Sequence, residues 1–246
     1  MIKLRKGRYS ARFARTQADI EAAQKLRFMC FHGGAGEGLD QDAFDPLCHH
    51  VLVEDTRSGD LVCCFRLMHL NDGGEIEKSY SAQFYELSSL HAFDGPMVEM
   101  GRFCIHPAHP DADILRVAWA AMTKYVDENG VELLFGCASF QGNTAEDYVD
   151  AFALLREKHL APKRWLPAVK APRVFSFGKS LRFRKPDLRL AMKGMPPLLR
   201  TYLVMGGWVS DHAVVDHDLG TLHVFTGLEI KSIPPARARL LRKISS

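Results

Sequence analysis

The sequence predicts an α/β (α+β) protein in which a mixed β-sheet is flanked by helices. Two observations carry this expectation. The runs "HHVLVED" and "DLVCCFRLMHL", residues 49–55 and 60–70, are strand-like, and Ser58, Gly59 and Asp60 between them supply turn chemistry, so the pair reads as an antiparallel hairpin. Farther on, the apolar run Met97–Ile105, an amphipathic helix over 111–130 and "VELLFGCAS" at 131–139 give strand, helix, strand. The connections are short enough for a right-handed crossover to a parallel neighbour. With 246 residues, 47% of them hydrophobic, the chain can bury one sizeable core, or a core and a smaller lobe.

The elements follow in order. Thr16 and Asp19 open the helix "TQADIEAAQKLRFMCF", whose apolar side carries Ile20, Ala23, Leu26 and Phe31. The loop "HGGAGEGLDQDAFDP" (32–46) is glycine-rich, yet it lacks both the GK[ST] ending of a P-loop and the GxGxxG register of a dinucleotide fold. After the hairpin, a helical stretch around "SAQFYEL" and a loop at "HAFDGP" lead into the 97–105 strand. In the helix "DADILRVAWAAMTKYVDENG", Asp111 or Asp113 is the cap, Ile114, Leu115, Ala118, Ala121, Met122, Tyr125 and Val126 recur at helical spacing, and Asn129 and Gly130 end it. "AEDYVDAFALLREKH" reads as a further helix. A short helix from Pro197 to Gly206 and two β-rich segments around "DHDLG" come later, and the basic tail "PPARARLLRKISS" is expected to be mobile. The expected organisation is one domain over 1–246, with a core at 12–160, a basic insert at 156–193, a helix and β segment at 196–230 and a tail at 231–246.

Net charge is +3 but unevenly spread: between Arg156 and Lys193 twelve Lys or Arg stand against Glu157 and Asp187, a local balance of +10 that leaves −7 for the remainder. Interleaved with Trp165, Phe175, Phe177 and Phe183, this block suits an acidic protein, an anionic membrane surface or nucleic acid, or else is a solvated loop region. No recognised nucleic-acid motif accompanies it, so nucleic acid is not the expected partner. No apolar run approaches the roughly 20 residues that span a bilayer, and the basic N-terminus leads into a polar helix rather than a signal sequence, so a cytoplasmic location is expected. The six cysteines form no CxxC pair and read as reduced thiols. His106, His109, Asp111 and Asp113 of "HPAHPDAD" have ligand chemistry, but two prolines break their spacing and no metal is expected.

The chemistry concentrates in "MVEMGRFCI". Glu99 and Arg102 interrupt an apolar strand, as Arg66 interrupts the hairpin strand, and charges in such settings are paired or used. A structural ion pair, or an edge at which both reach solvent, accounts for them as well as a site does. Arg102 is three residues from Glu99, so a regular strand places it on the opposite face.

The order helix, loop, hairpin, helix, charged strand, helix, strand resembles the GNAT-type N-acyltransferases. Within that superfamily the likeness is strongest toward the bacterial ornithine-acyl carrier protein N-acyltransferases, and more distant toward acyl-homoserine-lactone synthases. "LRFMCF", "FDPLCHHVLVED", "SGDLVCCFRLM", "VEMGRFCIHP", "LLFGCASFQG", "PPLLRTYLVMGGWV" and "DHDLGTLHVF" carry it, nearly end to end. One departure is informative: acetyltransferases follow the charged strand with a glycine-rich loop that holds coenzyme A pyrophosphate at a helix N-terminus, whereas here the loop is "HPAHPDAD", whose aspartates oppose an added anion.

The resemblance implies a twisted GNAT sheet and transfer of a (3-hydroxy) fatty acyl group from acyl carrier protein to the α-amine of L-ornithine, or of a related amino acid such as glutamine. It implies no bound cofactor beyond the donor's acyl-phosphopantetheine arm. Glu99 is then the general base, direct or through a water, and a bulge in its strand brings Arg102 round to help place the acceptor. Ser139 is a candidate proton donor to the departing thiolate, though a strand-end serine is also a common turn former. Arg66, Asp45, Arg27, Phe103 and Ile105 are candidate substrate-binding residues. Arg66 can bind the acceptor or pair with Glu99 or Asp45, and Asp45 can order the N-terminal lid or meet the acceptor amine. The basic block fits acyl carrier protein and equally a peripheral contact with the anionic inner membrane. Acyl-homoserine-lactone synthesis from S-adenosylmethionine is the rival enzyme reading.

Overall fold

A computed structural model describes residues 3–33 and 37–245; Gly34, Ala35 and Gly36 of the predicted glycine-rich loop lie outside them. The chain opens with a hairpin absent from the sequence-based expectation, β1 (Lys3–Lys6) and β2 (Tyr9–Phe13). Its alternation of Leu4, Tyr9 and Ala11 is interrupted by basic residues, which hides the two-residue period, and Gly7 turns it at φ +56°. α1 (Gln17–Phe31) starts as expected: Thr16 Oγ1 accepts from Asp19 N at 3.1 Å and Asp19 Oδ2 from Thr16 N at 3.2 Å, a reciprocal capping box. β3 (His49–Asp55) and β4 (Leu61–Leu70) form the predicted hairpin.

The "SAQFYEL" stretch is not an α-helix. It breaks into single 3₁₀ turns at Ser81–Gln83 and Ser88–Leu90 around β5 (Tyr85–Glu86), because Tyr80 and Ser81 give their amides to a carboxylate and Tyr85 pairs in a small sheet. β6 (Met97–Ile105), α2 (Ala112–Glu128) and β7 (Leu133–Gln141) follow, with Asp111 capping α2. Then come α3 (Val149–Lys158), β8 (Ala168–Val169), β9 (Val174–Phe175), α4 (Phe177–Ser180), α5 (Leu188–Gly194), α6 (Pro197–Val204), β10 (Trp208–Val209), β11 (Ala213–Asp216), β12 (Thr221–Glu229) and α7 (Pro235–Ser245).

These elements form two compact units. The first holds the described residues up to His69, Met100–Val131 and those from Pro235 on. Its strands run antiparallel from β1 to β4, with Ala11 opposite Val53 and Val53 opposite Cys63, and β6 lies beside β4. α1 buries Ala23 and Leu26 against Leu52, Cys64 and Cys104. On α2, Tyr125 meets Phe13 edge-on, ring centroids 6.1 Å apart. The tail expected to be mobile is helix α7 packed on α2, where Arg242 forms an ion pair with Asp127 at 2.9 Å.

The second unit holds residues 70–99 and 132–234. Met97, Val98 and Glu99 pair in parallel with Leu133, Leu134 and Phe135, the predicted parallel neighbour, and β7 pairs antiparallel with β12 along its whole length. β11 flanks β12 and β9 flanks β11. Beneath this sheet, Phe152 of α3 lies 4.8 Å from Phe140, stacks on Phe177 at 5.1 Å and faces Phe175 at 5.6 Å, and Ala191 and Leu199 close the cluster. The basic stretch is therefore tied into a core through Phe175, Phe177 and Ala191 rather than looped out. Phe152→Ala removes the fully buried centre of that cluster and is expected to cost about 3–5 kcal/mol in urea unfolding.

Candidate active site

The first unit contains an ion cluster. Arg27, only 1% exposed on α1, donates from Nε to Asp40 Oδ2 at 2.6 Å and from Nη1 to Asp45 Oδ1 at 2.7 Å. Arg66, on β4 and 3% exposed, gives Nη1 to Asp42 Oδ1 at 2.5 Å and to Asp45 Oδ1 at 2.6 Å, and Nη2 to Asp42 Oδ2 at 2.7 Å. Arg102, on β6, reaches Asp40 from Nε and Asp42 from Nη2, both at 3.1 Å. Gln24 donates to Asp45 at 2.9 Å, and His50 Nε2 lies 3.0 Å from the Asp45 carbonyl. Three guanidinium groups are thus matched by three carboxylates from one loop.

The matching controls ionisation. Burial alone pushes the Asp45 carboxyl up, but the hydrogen bonds from Arg27, with Gln24 and Arg66, outweigh it and hold the carboxyl at about 2. Asp42 is likewise held down by Arg66 against its burial. Burial works to lower the Arg66 pKa, and its bonds to Asp42 raise it further instead. His50 is pushed down by burial, which favours the neutral imidazole.

Arg102 adopts φ +53°, the one left-handed non-glycine among the described residues. That conformation costs roughly 1–2 kcal/mol, and the two aspartate contacts hold it. Such a residue interrupts strand alternation, the kind of irregularity expected of this strand. Asp42 and Arg102, with side chains 19% and 11% exposed, are the members of the cluster most open to solvent.

Glu99 belongs to the second unit. Its carboxylate is buried and accepts from Tyr80 N at 2.8 Å, Ser81 N at 2.8 Å and Ser81 Oγ at 2.5 Å, and Ser81 Oγ also lies 3.4 Å from Cys137 Sγ. Tyr202, buried nearby on α6, has its phenol pushed up by burial and by the negative charge of Glu99.

Of the residues read from the sequence, Arg27, Asp45, Arg66 and Arg102 are brought into one cluster, and Arg66 pairs with Asp45 as one of its expected options. Phe103 is half-buried and stacks on Phe65 at 5.7 Å, while the Ile105 carbonyl accepts from Cys30 Sγ. Ser139 is exposed on β7 opposite His223, and its side chain makes no hydrogen bond among the described residues. Asp40 and Asp42 were not singled out by the sequence reading. Their signal is "DQDAFD", three acids within six residues, against three arginines lodged at otherwise apolar positions. Ser81 and Tyr202 carried no signal.

At the α2 N-terminus, Asp111 Oδ1 accepts from Asp113 N at 2.9 Å and Oδ2 from the Tyr9 hydroxyl at 2.7 Å. The helix end that binds pyrophosphate in acetyltransferases is capped here by the chain's own carboxylate.

Comparison with known proteins bears on the family. Residues 26–120 match an acetyltransferase (GNAT) domain. The chain is 33% identical to the L-ornithine N(alpha)-acyltransferase of Rhodobacter capsulatus, over 92% of this chain and 91% of the relative, and 30% identical to that of Brucella abortus, over 92% and 86%. Among solved structures, FeeM, an N-acyl amino acid synthase from uncultured soil microbes, is similar with a TM-score of 0.49 at 9% identity, over 97% of both chains.

Two outcomes test the cluster. Arg27→Met removes one of the two arginine partners of each of two buried carboxylates, Asp40 and Asp45, and is expected to cost about 3–5 kcal/mol in urea unfolding. Asp45 has a folded pKa below its ordinary value of 3.8, so its contribution to stability is full above that value and lost as pH falls through about 2. Denaturation midpoints measured from pH 5 downward should fall across that window, and the fall should be shallower in Asp45→Asn.

Proposed function

The chain belongs to the L-ornithine Nα-acyltransferase family, and from that premise we propose that it moves a (3-hydroxy) fatty acyl group from acyl carrier protein to the α-amine of L-ornithine. The reaction is the first step of ornithine lipid synthesis. The observation that carries the residue assignment is the ion cluster: its most open members, Arg102 and Asp42, are a cation and an anion side by side, which suits a zwitterionic amino acid. The acceptor carboxylate is read by Arg102 and its ammonium side by Asp42, while Arg27, Asp45 and Arg66 hold both in place.

Glu99 acts as the base. It lies three residues before Arg102 in the sequence. Glu99, direct or through a water, takes a proton from the α-ammonium. The amine then attacks the thioester carbonyl, the tetrahedral oxyanion collapses, the C–S bond breaks, and the pantetheine thiolate picks up the proton lost by the new amide nitrogen. Ser139 is exposed and is given no part in that proton transfer.

The donor is assigned to acyl carrier protein rather than coenzyme A because Asp111 occupies the α2 N-terminus and repels a pyrophosphate there. No helix among the described residues is long and apolar enough to cross a membrane.

The test is to incubate purified protein with 3-hydroxyacyl carrier protein, or the matching acyl-coenzyme A, and each of ornithine, glutamine and S-adenosylmethionine, following thiol release and product mass. Nα-acylornithine formed faster from the carrier protein supports the reading; product only with S-adenosylmethionine, or only from coenzyme A, overturns it. Glu99→Gln is expected to lower kcat by about 10²–10⁴-fold with the folded state retained. Ser81→Ala, which deletes one anchoring bond but keeps the carboxylate, should retain most of kcat. Equal losses in the two variants, tracking their loss of folded protein, would make Glu99 an anchor and not a base.

A further inference from the structure

The basic stretch has an outer surface that holds none of the residues given a part in acyl transfer. Phe183 is 89% exposed, and Leu188, Leu190 and Met192 are 55%, 53% and 45% exposed. Around them Arg182, Lys185, Arg189 and Lys193 are exposed and have no carboxylate partner among the described residues. From Lys179 to Lys193 six basic residues stand against Asp187 alone, a net +5, and Asp187 is spent capping α5 through the amides of Arg189 and Leu190. A hollow of about 530 Å³ opens between Arg156, Lys158, Arg182, Phe183 and Leu188.

The backbone beneath is fixed. Phe177 and Ala191 are fully buried in the core of the second unit, and Asp150 of α3 receives both Arg184 Nη2 at 3.2 Å and the Asp187 amide at 3.1 Å. The exposed apolar side chains are therefore held outward on an ordered platform. Leu188 and Met192, four residues apart, share a face of α5, and Phe183 lines the same hollow as Leu188; exposed apolar groups gathered beside cations mark an interaction site.

We propose that the surface formed by Phe183, Leu188 and Met192 with Arg182, Lys185, Arg189 and Lys193 docks on an anionic phospholipid bilayer. Two needs must be met together: phosphate for the cations and an apolar phase for the rings and chains. An acidic protein satisfies the first by charge alone, and its acidic surface is a poor place to bury an aromatic ring. The boundary between headgroups and acyl chains satisfies both, with Phe183, Leu188 and Met192 entering the apolar edge and the long basic side chains reaching the phosphates. Arg182, stacked over Phe183 with its guanidinium carbon 5.2 Å from the ring centroid, joins the two chemistries at one point. The proposal rests on none of the catalytic assignments, so it stands or falls separately from the acyl-transfer reading.

The experiment is sedimentation of the full chain with vesicles of phosphatidylcholine alone and of phosphatidylcholine mixed with phosphatidylglycerol, over a range of salt. Binding to the anionic vesicles and much weaker binding to the neutral ones is expected. Arg182→Glu/Lys185→Glu should lower the partition coefficient at least about tenfold, since a cation near an anionic surface contributes about fivefold. Phe183→Ser should lower it further at high salt, where the apolar contribution dominates. All three substitutions are at exposed positions, so thermal melting should be unchanged. No binding by the folded wild-type chain, or variants that bind anionic vesicles as well as wild type, would overturn the proposal. So would variants that keep vesicle binding but raise KM for acyl carrier protein, which would make this the carrier's docking surface.

Discussion

The first unit depends on burying three guanidinium groups and three carboxylates together. Each ion alone costs several kcal/mol to take out of water, and a pair regains that only when its remaining hydrogen-bonding capacity is met. Asp40 serves Arg27 and Arg102, Asp42 serves Arg66 and Arg102, and Asp45 serves Arg27 and Arg66, so each carboxylate joins two of the three arginines. The arginines come from α1, β4 and β6. A cyclic arrangement of this kind fixes the loop at 40–45 against a helix and two strands without any regular structure of its own. Such a network contributes less to net stability than to uniqueness, because any other register of the loop strands a buried charge.

Arg102 follows from that constraint. Its left-handed backbone would relax if the guanidinium had no destination, and Asp40 with Asp42 provides one. Glu99 obeys a similar logic with different partners. Two backbone amides and a serine hydroxyl aim its carboxylate, and the same bonds shape the turn at Tyr80 and Ser81. A carboxylate held this way has its position fixed in advance, the condition that the proposed role as a base requires.

The GNAT-type α/β fold was legible where periodicity and turn chemistry act locally: the α1 capping box, the Gly59 hairpin, the Asp111 cap and the parallel pairing of β6 with β7. It failed where structure depends on distant partners. "SAQFYEL" has helical composition, but its first amides are taken by Glu99 and Tyr85 is drawn into pairing with Val169. The tail reads as a solvated basic segment until α2 supplies a surface for it. In the site, arginines were visible because a charge in an apolar run is anomalous. Their partners were less so, because an aspartate in a polar loop is ordinary, and the partners of Glu99 include backbone amides that no side-chain pattern encodes.

The α2 N-terminus carries an anion of its own, and the proposed choice of donor follows from it. A helix N-terminus attracts anions through its unpaired amides and the helix dipole, and a phosphate loop leaves those amides open. Here Asp111 takes the Asp113 amide and, through the Tyr9 hydroxyl, is tied to β2, so the anion at this end is covalently part of the chain. The amide of Asp113 and the Tyr9 hydroxyl, with a smaller pull from Arg8 and Arg116, keep that carboxyl below its ordinary pKa, which favours the charged form. A donor bringing a diphosphate would have to displace it against like charge. A donor bringing one phosphate on a flexible arm, attached to a protein that binds elsewhere, has no need of this helix end, and its recognition shifts from a phosphate pocket to the charge and shape of the carrier.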